Sequence, residues 1–198
     1  MNPDTAQSLA VARIRDCGSV TQSLLESSAY LTTVVKVADA MTKCLISGNK
    51  ILFFGNGGSA ADAQHLAAEL SGRFLKERAS LSGWALTTNS SALTAIGNDY
   101  SFDEVFARQI QGIGSPDDVA FALSTSGNSS NVLRAVNVAR EKKLVTVGLT
   151  GKTGGELRSA VDHCICIPSD QTPRVQEAHI LTGHILCELI EETLFGKN

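Results

Sequence analysis

The chain has 198 residues, of which 43% are hydrophobic and 19% are charged, a balance typical of a folded protein and not of a disordered one. Its formal net charge of −3 provides no basic excess of the kind that nucleic-acid binding usually requires. Residues 1–16 lack the apolar core of a signal peptide, and no window is apolar enough to span a membrane. We therefore expect a cytoplasmic protein, with no membrane or nucleic-acid partner.

The first part of the chain has the spacing of helices. Apolar residues recur at helical intervals through residues 4–48, and the pattern stops at an SGNK turn. The apolar run at 51–54 has the length of a buried strand. After the glycines that follow it, Ser59 is expected to cap a helix over residues 60–74.

Strands and helices then alternate to the end of the chain. We expect strands at 83–88, 118–124, 144–150 and 163–168, and helices at 102–110, 131–143, near 154–160 and at 173–195. This alternation predicts an α/β fold, a three-layer αβα sandwich around a central parallel sheet. We expect residues 1–198 to form one domain, with a helical N-terminal segment over 1–48 and the αβα core over 49–198.

Two polar loops follow strands of this predicted sheet, at 55–59 and at 124–130. Ligands of such sheets bind beyond the carboxyl ends of the strands, so both loops are expected to line one crevice. A glycine turn before a helix presents backbone amides to an anion. The second loop adds hydroxyl groups on Ser124, Thr125, Ser126 and Ser129. Either loop alone is compatible with an ordinary capped turn, but the pair indicates a cradle for a phosphate with an attached polyol.

Two nucleotide-binding patterns are incomplete in this chain. The G-x-G-x-x-A pattern at 55–60 also requires an acidic residue at the end of the next strand, and Glu77 lies instead in a charged segment. The GLTGKT stretch at 148–153 would be a phosphate loop only with glycine where Thr146 stands. We therefore expect no nucleotide cofactor.

Two predicted helices carry polar side chains that share a face. His65 and Glu69 are four residues apart, and Gln176 and His184 are eight apart. Imidazole and carboxylate groups are usual zinc ligands, and a glutamate with a histidine can also move a proton between adjacent carbons. The residue types alone leave both roles open, along with a simple surface ion pair for Glu69. His179 is expected to be a core residue.

The number of cysteines is odd and no CxxC pair occurs, which favours free thiols in a reducing compartment. We expect them to be small apolar core residues. They are Cys17, Cys44, Cys164, Cys166 and Cys187.

Four stretches together resemble the sugar isomerase (SIS) domain family: GNGGSAADAQHLAAELSGRF, AIGNDYSFDEVFARQI, LSTSGNSSNVLRAV and RVQEAHILTGHIL. The resemblance extends over nearly the whole chain, and four motifs in one sequence are more specific than any one of them. It implies a flavodoxin-like αβα sandwich that binds phosphosugars. It also implies a homotetramer with active sites at the subunit interfaces.

The resemblance is to members of the family that isomerise heptose phosphates. It implies conversion of sedoheptulose 7-phosphate into an aldose heptose 7-phosphate, which leads to nucleotide-activated heptose for lipopolysaccharide core or related glycans. Glu69 and His184 would be the acid–base pair, and one zinc ion per subunit would be held by His65, Glu69, Gln176 and His184. The substrate would contact Asn56, Gly57, Gly58, Ser59, Glu69, Asn98, Asp99, Ser124, Thr125, Ser126, Ser129 and Gln176.

A non-catalytic branch of the same family offers an alternative function. Its members regulate replication by binding an initiator protein, and the CELIEETLF stretch at 187–195 resembles them. The second glycine of NGG and His184 favour the enzyme, because a binding module has no need of them. A third class, sugar-phosphate-sensing regulators, normally carries a DNA-binding module, which we do not expect here.

Overall fold

A computed structural model describes residues 1–196. Its helices are α1 (Pro3–Glu26), α2 (Ser28–Ile46), α3 (Gly58–Ser71), α4 (Ser90–Asp99), α5 (Ala107–Ile113), α6 (Ser130–Glu141), α7 (Leu157–Ala160) and α8 (Thr172–Phe195). Its strands are β1 (Ile51–Gly55), β2 (Gly83–Ala85), β3 (Val119–Ser124), β4 (Val145–Thr150) and β5 (His163–Cys166). Within residues 1–196, no helix is long and apolar enough to cross a bilayer.

The five strands form one parallel sheet in the order β2-β1-β3-β4-β5. Every residue of β1 and β3 is buried, as expected of strands covered by helices on both faces. The strand order reverses at β1, which has β2 on one side and β3 on the other. Ligands of such sheets bind at this reversal, beyond the carboxyl ends of β1 and β3.

The two faces of the sheet have separate apolar cores. Phe53 of β1 packs with Phe121 of β3, with ring centroids 5.3 Å apart, in a core that includes α2, α3 and α8. The next residue, Phe54, points to the opposite face and packs against Phe106, at 5.7 Å, in a core that includes α5 and α6. These two cores confirm the predicted three-layer sandwich, and they place α3 and α6 on opposite faces.

The predicted N-terminal helical segment consists of two helices, and the predicted limits of α3 are wrong. The helical stretch 4–48 is two helices, because the backbone is extended at Ser27, whose hydroxyl caps α2 by accepting from the Tyr30 N–H at 3.2 Å. Ser59 does not cap α3: Gly57 is the cap residue, and Ser59 lies buried in the first turn. The predicted helix 60–74 ends earlier, at Ser71.

The segment before β3 also differs from the prediction. Residues 102–110 are not one helix, because a short 3₁₀ helix at Phe102–Glu104 precedes α5. The sequence analysis missed α4, which Asn89 caps by accepting a hydrogen bond from the Ala92 N–H at 3.0 Å. The predicted strands at 83–88 and 163–168 are shorter and end at Ala85 and Cys166.

All five cysteines are free, as predicted. Cys44 and Cys187 are buried, and burial raises the pKa of Cys44 to about 11 and that of Cys187 to about 12. The other three, Cys17, Cys164 and Cys166, are half-buried, so the prediction of core packing holds for two of the five.

Candidate active site

The two polar loops lie side by side at the carboxyl edge of the sheet. Gly55, the last residue of β1, pairs with Leu123 of β3, one residue before Ser124. Asn56 and Asn131 exchange two hydrogen bonds: Asn56 Nδ2 donates to Asn131 Oδ1 at 2.8 Å, and Asn131 Nδ2 donates to Asn56 Oδ1 at 2.9 Å. The structure therefore brings the loops into one crevice, as predicted, and joins the first loop to α6 through a residue that the sequence analysis missed.

Two glycines shape the first loop. Gly57 has a φ of 56°, in the left-handed region where a residue with a Cβ is strained. A Cβ on Gly58 would lie 2.2 Å from Nε2 of Gln176. The loop can therefore turn sharply into α3 while α8 approaches its first turn.

Three serine hydroxyl groups converge in the second loop. Ser124 Oγ lies 3.0 Å from Ser129 Oγ and 3.5 Å from Ser126 Oγ. Ser124 Oγ also accepts a hydrogen bond from the N–H of Gly127 at 3.2 Å, which fixes the turn. Helix α6 begins at the residue after Ser129, so its free N–H groups open toward the same region. This part of the crevice suits an anion.

Thr125 lies at the edge of this arrangement. With Ser126 it lines a small surface cavity, whose wall also includes Lys152 and Asp170. Lys152 carries a positive charge next to the serine cluster, and the sequence analysis did not identify it. The cavity therefore offers both a cation and hydroxyl groups beside the anion-binding loop.

His65, Glu69 and His184 form a compact cluster between α3 and α8. His65 Nε2 lies 3.1 Å from Glu69 Oε1 and 2.9 Å from His184 Nε2. One ligand-type atom from each residue lies within 4.8 Å of the other two. The helices approach closely here because a glycine faces a leucine: a Cβ on Gly183 would lie 2.5 Å from Leu66 Cδ2. The structure therefore brings together His65 and Glu69, whose shared face was predicted from their spacing, with His184 of the other helix.

The remaining predicted site residues lie elsewhere on these elements. Gln176 is two turns before His184, about 12 Å along the helix axis, and its amide contacts Gly58 at the start of α3. Asn98 and Asp99 are exposed at the end of α4, and their side chains bond to each other at 2.8 Å. The structure therefore unites three of the four predicted zinc ligands and places the fourth toward the first loop.

Two further ionisable groups, one buried and one half-buried, lie on the same helices. His179 on α8 is fully buried, and burial lowers its pKa to about 4, so it is neutral at physiological pH. This confirms the prediction that it is a core residue. Burial raises the pKa of the Asp62 carboxyl on α3, and the charge of His65, three residues later, acts in the opposite direction. Asp62 was not among the predicted site residues.

A second missed feature lies next to the cluster. The segment 72–80, which follows α3, is attached to α8 by a buried ion pair between Arg78 and Glu191, with Arg78 Nε 2.8 Å from Glu191 Oε1. Within this segment, the Phe74 ring stacks on the His184 imidazole, with centroids 5.3 Å apart and planes at 23°. The only sequence signal was the charged character of residues 76–78, which gave no indication of their partner.

Comparison with known proteins agrees with this geometry. A family model described as SIS domain matches residues 18–151. A phosphoheptose isomerase from Rhodospirillum rubrum is 53% identical over 178 residues, which cover 90% of this chain and 95% of the relative. One from Aneurinibacillus thermoaerophilus is 47% identical over 184 residues, 93% of each chain.

Solved structures show the same similarity. Phosphoheptose isomerase GmhA from Neisseria gonorrhoeae superposes with a TM-score of 0.89 and 41% identity, over 94% of this chain and 99% of that one. A phosphoheptose isomerase from Francisella tularensis superposes with a TM-score of 0.90 and 33% identity, over 94% and 98% of the two chains.

Proposed function

The chain belongs to the phosphoheptose isomerase family of SIS domain proteins and is an aldose–ketose isomerase; we propose that it converts D-sedoheptulose 7-phosphate into D-glycero-D-manno-heptose 7-phosphate. The observation that carries the proposal is the compact His65–Glu69–His184 cluster, in a chain that also has an anion-binding loop. The product would be the precursor of nucleotide-activated heptose for lipopolysaccharide core or a related glycan. Isomerase relatives favour this function over the non-catalytic regulator of replication.

We assign the phosphate group of the substrate to the second loop. The Ser124, Ser126 and Ser129 hydroxyls and the first N–H groups of α6 are donors for a phosphate dianion, which the helix dipole also attracts. The rest of the sugar would extend toward the first loop. Its contacts there and beyond would be Asn56, Gly57, Gly58, Ser59, Asn98, Asp99, Thr125 and Gln176.

The proton transfers are assigned to the cluster. A carboxylate oxygen of Glu69 removes a proton from carbon 1 of the ketose, which gives an enediol, and returns a proton to carbon 2. His184 Nε2 moves the accompanying proton between the oxygens on carbons 1 and 2, so no atom is gained or lost. His65 contacts both groups and holds them toward the same substrate edge.

The cluster also fits a divalent metal ion. Two imidazole nitrogens and one carboxylate oxygen that lie mutually within 4.8 Å match the three-ligand set of catalytic zinc sites. We propose that His65, Glu69 and His184 hold one zinc ion per subunit. A bound zinc ion would polarise the carbonyl oxygen of the substrate.

We also propose that the chain forms a homotetramer with its active sites at subunit interfaces. α1 and α2 expose several apolar side chains that a monomer would leave in water, namely Leu9, Val11, Ile14, Leu25, Leu31 and Val35. Analytical ultracentrifugation tests this, because a species with the mass of one chain at micromolar concentration would overturn it.

The function itself is tested by incubating the purified protein with sedoheptulose 7-phosphate. We expect an aldose 7-phosphate, detected by the anomeric proton signals of its ring forms in NMR, and incorporation of solvent deuterium at carbon 2. A regulator or a sugar-phosphate sensor would bind the ketose and return it unchanged, and that result would refute the isomerase.

A further inference from the structure

The segment 72–80 is held by one carboxylate. Glu191 accepts hydrogen bonds from three consecutive backbone N–H groups, those of residues 74–76, at 2.8 to 2.9 Å. Burial alone would raise the pKa of Glu191, but these donors and the Arg78 guanidinium outweigh burial and lower it. Glu191 therefore stays ionised and fixes the backbone around Phe74.

Arg78 completes the attachment from the other side. Its side chain is fully buried, and besides the bond to Glu191 its guanidinium donates to carbonyl oxygens of the end of α3 and of its own segment. One of these carbonyls, at 2.8 Å from Nη2, belongs to Glu69. A planar guanidinium can satisfy so many acceptors at once, whereas a lysine ammonium cannot. The ion pair thus connects α8, the segment and the end of α3.

Phe74 links the segment to the histidine–glutamate cluster. Its ring covers one face of the His184 imidazole, at a centroid distance of 5.3 Å, while His184 Nε2 meets His65 Nε2 at 2.9 Å. The His65 contact holds Nε2, and the near-parallel Phe74 ring on one face further restricts rotation of the imidazole about its side-chain bonds. The direction of Nε2 therefore depends on where Phe74 is held.

We propose that the buried Arg78–Glu191 pair is a positioning device, which acts through Phe74 to orient the His184 imidazole for proton transfer. The inference rests on the proposed function, since it gives His184 its role. Phe74, Arg78 and Glu191 are positioning residues and not catalytic ones, because they act only through His184 and the backbone of Glu69.

The first experiment replaces the ring. F74L is expected to lower kcat at least tenfold, because small misplacement of a catalytic group is costly, and to leave KM for sedoheptulose 7-phosphate within twofold, because the phosphate loop is untouched. F74Y keeps the ring and should therefore have a kcat close to that of the wild type. F102L, at an exposed phenylalanine, is the matched control. Wild-type kcat in F74L, or equal losses in F74L and F74Y, would overturn the inference.

The second experiment reads the orientation directly. In chelator-treated protein, the ring protons of His184 are shielded by the stacked Phe74, so F74L should move their NMR signals downfield. R78K keeps the positive charge but loses the planar guanidinium group, so it should move the same signals and lower kcat. R140K, at an exposed position near the end of α6, is the control and should change neither. Unmoved His184 signals in folded R78K would refute the role of the ion pair.

These readouts separate the two hypotheses. The NMR measurement needs no turnover, so a wild-type protein that leaves sedoheptulose 7-phosphate unchanged refutes the proposed function while the orientation of His184 is still tested. R78K is used because it is milder than removal of Glu191, which would leave a buried arginine without its counter-ion. Thermal melting of each variant establishes that the folded protein is compared.

Discussion

The two halves of the candidate site are built in different ways. The anion-binding half is local: Ser124 and Ser129 are five residues apart, and one turn plus the start of α6 positions all its donors. The histidine–glutamate half is assembled from distant residues, since His65 and His184 are 119 residues apart and meet only where α3 packs on α8. Binding is therefore expected to tolerate changes in tertiary packing that would abolish the chemistry.

The largest effect should come from the carboxylate of the distant half. E69Q keeps the shape of the side chain and removes the base, so kcat is expected to fall by about a thousandfold, within the range of general-base catalysis, with KM little changed. Steady-state kinetics measure both. E77Q is the control, because the Glu77 side chain is 92% exposed in the segment that follows α3. An E69Q enzyme with near wild-type kcat would remove Glu69 from the mechanism.

A packing change between the helices should have the next largest effect. G183A places a Cβ about where Leu66 already stands, and overpacking of this kind costs about 1–3 kcal/mol of unfolding free energy. We expect kcat to fall about a hundredfold because the two histidines separate, while the phosphate loop still binds. Chemical denaturation and kinetics test this, with G112A as control, since that position is open. Unchanged kcat and stability would show that the cluster does not depend on close helix packing.

The smallest effect should come from the local half. S129A removes one hydroxyl from the phosphate contacts, and a hydrogen bond to a charged group contributes about 1.5–3 kcal/mol. We therefore expect KM to rise about tenfold or more and kcat to change little, with S159A, an exposed serine at α7, as control. If S129A lowered kcat and left KM unchanged, the division between a binding half and a chemical half would be wrong.

The sequence predicted the local features better than the tertiary ones. Apolar periodicity was sufficient for the individual strands and helices, and their alternation for the sandwich. The spacing of His65 and Glu69 was sufficient for their shared face, because both lie on one helix. Periodicity missed Asn131, which meets Asn56 from 75 residues away, and Glu191, which meets Arg78 from 113 residues away. Partners at such separations are chosen by the packing of the fold, which periodicity does not describe.

The prediction for the segment before β3 was wrong for a different reason. Helix α4 and the 3₁₀ helix at Phe102–Glu104 are short, and none of the α4 residues is fully buried. Leu93 and Ile96 pack against the core but are only half-buried, so the apolar pattern of α4 is short, and the Asn89 cap was the clearer signal of its beginning. Asn98 and Asp99 lie at the end of this helix, and their contact with the substrate remains a prediction.

The reciprocal amide pair between Asn56 and Asn131 joins the first loop to α6, beside the second loop, without using a charge. Neither amide gains or loses a proton, and neutral groups are little affected by salt. We therefore expect the distance between the two loops to stay the same across the range of pH and ionic strength in which the protein is folded. A change of pH or salt concentration within that range is therefore not expected to move the two loops apart.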